Sequence, residues 1–341
     1  MKSTCAWLAG LLASALCCAA TQLNLGYLVQ QTPGSAQRGD YRGSGFELRT
    51  DAWAVVLDGE GLDDAAMQAF AFWTQLSETT FVLPPTAGAR AQGADYQLRI
   101  FTPGGELAFA GHPTLGSCHA WLAHGGQPQS AQHIVQECKK GLVTIARRDG
   151  ALAFAAPSLE RSAPAPDLLA AVCQALALAP AQVLAAQQLD NGTQWLGLLL
   201  DSPDTVLALD PDHARLKALR QKVGVAALYP AEDDSGPALV RRSSREARAF
   251  ASTAAPARPA VQLEVRAFAA ATGVNEDPVT GSLNAGFAQW LIAEGRLQAP
   301  YVANQGSCLG RDGWVHVNAD DQGQLWIGGH TVGCIQGSVL L

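Results

Sequence analysis

Apolar and polar positions follow two rhythms along this chain, and the rhythms succeed each other in nearly the same order in both halves. Trp53–Leu57 is an apolar run of strand length, closed by the turn Asp58-Gly-Glu-Gly61. Asp63-Asp64 opens a helix with Met67, Phe70 and Ala71 on one face and acids in its first turn, where the dipole favours them. Leu76–Leu83, rich in β-branched and aromatic residues, predicts a strand stopped by Pro84-Pro85. Asp95–Phe101 alternates as a strand and leads through Thr102-Pro-Gly-Gly105 to Glu106–Pro113. Leu115, Cys118, Trp121 and Leu122 then share one face of a helix that Gly125-Gly126 ends.

His133–Ala146 and Gly150–Ala156 read as a hairpin, Ser162-Ala-Pro-Ala-Pro166 as a linker, and Asp167–Ala179 as a helix. Gln194–Asp201 and Thr205–Leu209 read as strands, Asp212–Lys222 as a helix, and Ala231–Ala260 as a loop. The first rhythm then returns. Val261–Phe268 is a strand, an acid-bearing loop follows, and Gly281-Ser282 starts a helix ending near Gly295 with Leu283, Phe287, Trp290 and Leu291 aligned. Arg99-Ile-Phe101 and Arg266-Ala-Phe268 occupy corresponding places, so a weak internal repeat of roughly 170 residues is expected. Two similar units, each pointing a helix N-terminus into a shared cleft, would make a small-molecule site. Gln324–Val332 and the last residues predict paired strands closing a sheet, while Thr21–Thr50 shows no clear period.

Composition adds limits. At 341 residues, 48% apolar and 16% charged, the chain is globular and long enough for two domains. A net charge of −7 argues against a nucleic-acid partner, and Arg241-Arg242-Ser-Ser-Arg245 is better read as a solvated loop. The eight cysteines contain no C-x-x-C pair and no zinc spacing, which suits buried thiols in a reducing, cytoplasmic compartment. Met1-Lys2, the apolar Ala6–Ala15 and Cys17-Cys-Ala-Ala-Thr21 have the make-up of a signal peptide or of an Ala-rich misassigned start. Nothing else reads as a membrane segment.

Four residues could carry chemistry. Glu78 lies at the helix-to-strand junction beside apolar residues, where burial favours the protonated form and suits the group to proton transfer. His112 sits at a helix start, where the dipole disfavours the imidazolium. Asp277 stands four residues ahead of Gly281, and Ser282 with the Gly281 N–H could hold a substrate carboxylate at the second helix start. Taken singly, Glu78 reads as a surface acid, His112 and Ser282 as caps, and Asp277 as a turn former. Four together, at matching places in two repeats, point to a site. Glu106, close before His112, is a secondary candidate whose alternative role is to orient the loop; His119 and His124 read as structural or solvated, and His330 has no assigned role. No G-x-S-x-G elbow, P-loop or post-strand G-x-G-x-x-G is found.

Leu76-Ser-Glu-Thr-Thr-Phe-Val82, Arg99-Ile-Phe-Thr-Pro103 with Glu106–Pro113, Glu276-Asp-Pro-Val-Thr-Gly-Ser282 and Ile327-Gly-Gly-His-Thr-Val332 occur in an order that resembles the phenazine-biosynthesis isomerase family (PhzF-like), within the diaminopimelate-epimerase-like fold. The resemblance spans about Trp53 to Leu341. It implies an α+β fold of two pseudo-symmetric domains, each a curled, mostly antiparallel sheet around a central helix, and usually a homodimer. The domains would be 46–164, joined by a final strand 331–341, and 165–330, with 1–45 an atypical extension.

It also implies cofactor-free, metal-free proton transfer on a small carboxylate-bearing substrate. Glu78 would be the acid/base, with His112 and Asp277 completing the catalytic set. Ser282, Gly281 in the anion site, and Gly111 would bind substrate. In the phenazine enzyme the glutamate is thought to move a proton between carbons of a dihydro-hydroxyanthranilate ring. Related epimerases use two cysteines at the helix starts; Ala110 and Asp277 align there, which disfavours a two-thiol racemase. An amino- or hydroxy-acid racemase and a non-catalytic metabolite-binding protein are the alternatives. Members open with a strand and a Gly-Asn-Pro turn, for which Phe46–Asp51 is a poor match.

Overall fold

The apolar run at Trp53 is continuous because its strand is covered on both faces. Trp53 and Val55 join the larger hydrophobic core, while Ala54 and Val56 join a separate cluster with Met67, Phe70 and Phe81; all four strand residues are fully buried. The computed structural model in which this is seen describes residues 22–30, 52–148, 151–230, 260–311 and 313–340. The signal-like segment, Phe46–Asp51, the 241–245 arginine cluster and nearly all of the 231–260 loop lie outside the described residues.

The first half contains β1 (Gln22–Gln30), β2 (Ala52–Val56), α1 (Asp64–Thr74), β3 (Thr79–Leu83), α2 (Ala87–Ala91), β4 (Tyr96–Thr102), β5 (Gly105–Leu107), α3 (Gly111–Ala123), β6 (His133–Cys138), β7 (Gly141–Arg148), β8 (Ala151–Ala155) and β9 (Glu160–Ser162). The second contains α4 (Pro166–Ala175), β10 (Val183–Asp190), β11 (Gln194–Leu200), α5 (Pro203–Ala208), α6 (His213–Ala218), β12 (Val223–Leu228), β13 (Leu263–Ala269), β14 (Val274–Asp277), α7 (Gly281–Ala293), β15 (Tyr301–Gln305), β16 (Gly313–Ala319), β17 (Leu325–Gly329) and β18 (Thr331–Leu340).

The halves repeat one pairing scheme. β2 runs parallel to β3 and β4 parallel to β6, as β11 does to β12 and β13 to β15; among the described residues every other pair is antiparallel. β8 joins β17 at the seam between the halves. Each half's last strand crosses over: β9 pairs β10, and β18 pairs β1. The fold is therefore α+β, a large curled sheet with few helices.

In each half one long helix lies inside the curl. α3 is buried nearly all round its first eight residues rather than along one stripe, and Trp121 and Leu122 are only partly buried. Its polar side chains consequently need partners inside the protein. Ser117 Oγ lies 2.8 Å from Thr80 Oγ1, and Thr114 Oγ1 accepts from Gln136 Nε2 at 3.1 Å. Gly116 is required for this packing, because a Cβ there would fall 1.7 Å from the Trp53 ring. The shorter α5 and α6 cover the opposite face of the second half, where Val206 and Leu216 pack against Leu196, Leu198 and Val225.

Four expectations change. Thr205–Leu209 is not a strand: Thr205–Ala208 belong to α5 and Leu209 caps it, because Ser202 Oγ accepts from the Thr205 N–H at 3.1 Å and Pro203 occupies the first turn. Residues 133–156 form a three-stranded meander rather than one hairpin. β17 and β18 do not pair with each other; β17 lies between β16 and β8. Within the unassigned 21–50 stretch, Gln22–Gln30 is a strand between β2 and β18. Among the described residues, no helix is long and apolar enough to cross a membrane.

Candidate functional site

β3 begins at Thr79, which leaves Glu78 on the connection just before it. The Glu78 carbonyl accepts from the Ala54 N–H at 3.2 Å, so the residue is held by the parallel β2–β3 pairing. Its carboxylate Oε2 lies 2.9 Å from His112 Nε2, and the two side chains are 12% and 5% exposed. His112, the second residue of α3, also packs edge-on to Trp53, with ring centroids 5.2 Å apart. A carboxylate and an imidazole at this distance share one proton-bearing hydrogen bond. The pair is largely buried, so its hydrogen bond is stronger than the same contact in water.

The start of α7 is built with more partners. Thr280 Oγ1 donates to Asp277 Oδ2 at 2.5 Å. Gln305 Nε2 donates to the Asp277 carbonyl and to Thr280 Oγ1, at 2.8 and 2.9 Å. Its Oε1 accepts from the Thr280 N–H and from Asn284 Nδ2, at 3.0 and 2.8 Å. One buried amide from β15 thus ties the Asp277 loop to the first turn of α7. Ser282 is fixed from β11 and its hairpin: Asn191 Nδ2 donates to the Ser282 carbonyl at 2.7 Å, and Trp195 Nε1 donates to Ser282 Oγ at 3.1 Å. An indole N–H can only donate, so Ser282 Oγ accepts there and its own hydrogen points elsewhere.

The two helix starts meet. A Cβ on Gly111 or on Gly281 would stand 2.8 Å from the other's Cα, and neither N-cap, Ala110 or Thr280, makes a side-chain cap bond. Two helix N-termini with their partial positive charge face one locus. Ala110 and Thr280 are the residues that precede the two helices, and Asp277 lies three residues before Thr280. Among the described residues no cysteine stands at either start; Cys118, deeper in α3, has its thiol pushed up to about 12 by burial.

All six expected residues are thus accounted for: Glu78 with His112 on one side, Asp277 with Ser282 on the other, and Gly111 against Gly281 between them. Glu106 is set apart. Arg99 Nε donates to it at 2.8 Å and Lys139 Nζ at 3.3 Å, and the Arg99 bond holds its carboxyl below the ordinary value. It anchors the β4–β5 turn, as Glu276 does for β13–β14 through Arg266 at 2.7–2.9 Å. His119 is held down by burial, and the His330 ring lies 5.7 Å from that of His316.

Sequence reasoning missed Trp195, Asn191, Gln305 and Lys222. Lys222 precedes β12 as Glu78 precedes β3, and its Nζ lies 5.5 Å from the centre of the Trp195 ring. Burial pushes its ammonium below the ordinary lysine value, while the carboxylates of Asp277 and Glu78 hold it up. No local pattern marks it, since it ends a stretch that reads as an ordinary helix. Two surface hollows, of about 300 and 330 Å³, are lined by other residues, such as Arg161 and Gln188 in one and Asp58 and Trp121 in the other. Among the described residues no group of three or more His, Cys, Asp or Glu is placed to hold a metal ion.

The sequence signature of the family described as phenazine biosynthesis-like protein matches residues 49–337. A second signature, for a type VI secretion system Rhs element Vgr, matches only residues 11–69. The chain is 31% identical over 308 residues to antisense-enhancing sequence 1 of Schizosaccharomyces pombe, covering 85% of this chain and 93% of that protein. It is 33% identical to an uncharacterized isomerase of Mesorhizobium japonicum, covering 84% of this chain and 93% of the relative. It is 28% identical to a trans-2,3-dihydro-3-hydroxyanthranilate isomerase of Pseudomonas fluorescens, with 80% and 85% covered.

In fold it is similar to a PhzF-family phenazine biosynthesis protein of Bacillus anthracis, with a TM-score of 0.70 at 19% identity, covering 94% of this chain and all of that one. It is also similar to a hydroxyproline epimerase of Agrobacterium vitis, with a TM-score of 0.50 at 13% identity and 94% and 93% covered. From β2 to the final strand, the match to the family runs through both helix starts and all four chemistry-bearing segments, and the chain belongs to the phenazine biosynthesis-like protein family.

Proposed function

We propose that the chain is a cofactor-independent isomerase that moves a proton between two carbons of a small carboxylate-bearing metabolite. The observation that carries this reading is the Glu78–His112 pair, 2.9 Å apart and largely buried beside two converging helix starts. Glu78 takes the proton from a C–H of the bound substrate and returns it to another carbon. His112 orients the carboxylate and shares its proton. The α7 start receives the substrate's negative end through the N–H groups of Gly281 and Ser282 and the Ser282 hydroxyl. Asp277, held by Thr280 and Gln305, orients the polar groups of the ring or chain. No step requires a metal or an organic cofactor.

The name of one relative supports this substrate class. The molecule named for the Pseudomonas fluorescens relative, trans-2,3-dihydro-3-hydroxyanthranilate, is a small cyclic carboxylate, and it is the first compound to test. Incubation in D₂O with it and with a panel of small carboxylates should give deuterium at carbon, detected by mass spectrometry. Glu78→Gln keeps the shape and removes the proton carrier, so exchange should fall by about 10²–10⁴-fold while binding survives. Exchange within about tenfold of the unmodified protein in that variant would overturn Glu78 as the acid/base. The functional unit is proposed to be a homodimer, so light scattering should give about twice the 35.6 kDa chain mass; the single-chain mass would overturn this.

A further inference from the structure

Lys222 and Glu78 stand at the same place in the two halves. Each immediately precedes the second strand of a parallel pair, in register Ala54 with Thr79 and Leu196 with Val223. Each gives its carbonyl to the N–H of the neighbouring strand, Glu78 to Ala54 at 3.2 Å and Lys222 to Leu196 at 2.8 Å. The pseudo-twofold that relates them passes between Gly111 and Gly281, where the inner helices touch. The repeat has therefore set a carboxylate on one side of this locus and an ammonium on the other.

Lys222 is also joined to the α7 start by one side chain. The Trp195 ring lies beneath its Nζ at 5.5 Å, and the same indole donates to Ser282 Oγ at 3.1 Å. The indole thus links the ammonium to the Ser282 hydroxyl at the start of α7. Lys222 is half-buried, and the carboxylates of Asp277 and Glu78 are the charges that hold its ammonium. The two carboxylates nearby, Glu78 and Asp277, already serve the reaction proposed above, and together they would repel an anionic substrate unless a cation balanced them.

We propose that Lys222 binds the substrate's carboxylate, seating it against the start of α7 and turning the C–H end of the molecule toward Glu78. This rests on the proton-transfer reading of the same site. Lys222 then decides both that the substrate is an acid and which way round it binds. The ammonium and helix N–H groups would meet the carboxylate with charge-assisted hydrogen bonds.

Titration calorimetry with 3-hydroxyanthranilate, the unreactive aromatic counterpart of the relative's substrate, and with its uncharged carboxamide separates charge from shape. The unmodified protein should bind the acid at least about tenfold more tightly than the amide. Lys222→Met should weaken the acid by about tenfold and leave the amide within about twofold, so that the preference disappears. Lys222→Arg should keep the preference in part. If the Met variant does not fold, Lys222→Gln carries the same comparison.

A Met or Gln variant that still prefers the acid overturns the proposal, as does an unmodified protein that shows no preference or binds neither compound. Glu78→Gln, run alongside, should keep the preference. Lost exchange in Glu78→Gln together with a retained preference in Lys222→Met sinks the lysine assignment alone. Retained exchange in Glu78→Gln with a lost preference in Lys222→Met sinks the reaction reading and leaves the anion site.

Discussion

A Cβ on Gly111 would stand 2.8 Å from the Cα of Gly281, and a Cβ on Gly281 would stand 2.8 Å from the Cα of Gly111. The contact is reciprocal because the two residues open equivalent helices on either side of a pseudo-twofold axis. Phe154, on the seam strand β8, lies under both, 2.9–3.3 Å from either added Cβ. The closeness of the two helix N-termini, and hence the shape of the candidate site, depends on neither residue having a side chain.

Alanine at either position should therefore be destabilising although alanine favours helices. Neither glycine has a positive φ, so the penalty comes from overlap alone. Gly281→Ala and Gly111→Ala should each cost about 1–3 kcal/mol, the usual range for overpacking a filled interior. Urea denaturation reads this directly, and an unchanged or raised midpoint would show that the helices can separate freely.

The repeated Arg–Glu pair offers an internal comparison. Arg266 and Glu276 are each 6% exposed, and Arg266 Nη1 also donates to the carbonyls of Val206 and Leu209, at 3.2 and 2.8 Å. Arg99 is 20% exposed and shares its charge with Glu106 and the exposed Asp64. Arg266→Met takes the ion-pair partner from the buried Glu276 carboxylate and a donor from the carbonyls of Val206 and Leu209, and should cost about 3–5 kcal/mol. Arg99→Met should cost clearly less, because water reaches the groups it abandons. Equal losses in chemical unfolding would contradict the burial argument.

Glu264 makes stability depend on pH. It is buried on β13, where its Oε2 accepts from Tyr229 Oη at 3.0 Å and Asn304 Nδ2 at 2.9 Å while Oε1 has no partner. Burial holds its carboxyl above the ordinary 4.5, against the pull of its hydrogen bonds and of Arg266. A folded value above the unfolded one gives a contribution fully present below the unfolded value and lost as pH rises through the folded one. Glu264→Gln carries no such titration. Its melting temperature relative to the unmodified protein should rise between about pH 4 and pH 7. A constant difference across that range would mean that the carboxyl titrates alike in both states.

Much of this protein was legible along the chain because the signals are local. The buried face of α1, with Asp63 Oδ1 accepting from the Ala66 N–H at 2.8 Å, follows from residues three and four apart. The repeated Arg-x-Phe strands and Gly-started helices announced two similar halves. Thr205–Leu209 was misread for an equally local reason: its β-branched residues favour a strand, but the cap at Ser202 and Pro203 in the first turn outweigh them. Strand partners were not legible, since β9 and β18 each pair in the opposite half, and partner choice depends on sheet edges brought together from far along the chain.

By itself, then, the sequence determined the family, the α+β class and the two helix starts, and it named Glu78, His112, Asp277 and Ser282 as candidates. Only the tertiary structure decided their company. Glu78 meets His112 across 34 positions because β3 and α3 pack together, and Ser282 meets Trp195 across 87 because α7 lies under β11. Lys222 gains its place from the parallel register of β11 and β12, which sets it where the first half has Glu78. A lone lysine after a short helix carries no periodicity and no motif; its meaning comes from what the sheet puts opposite it.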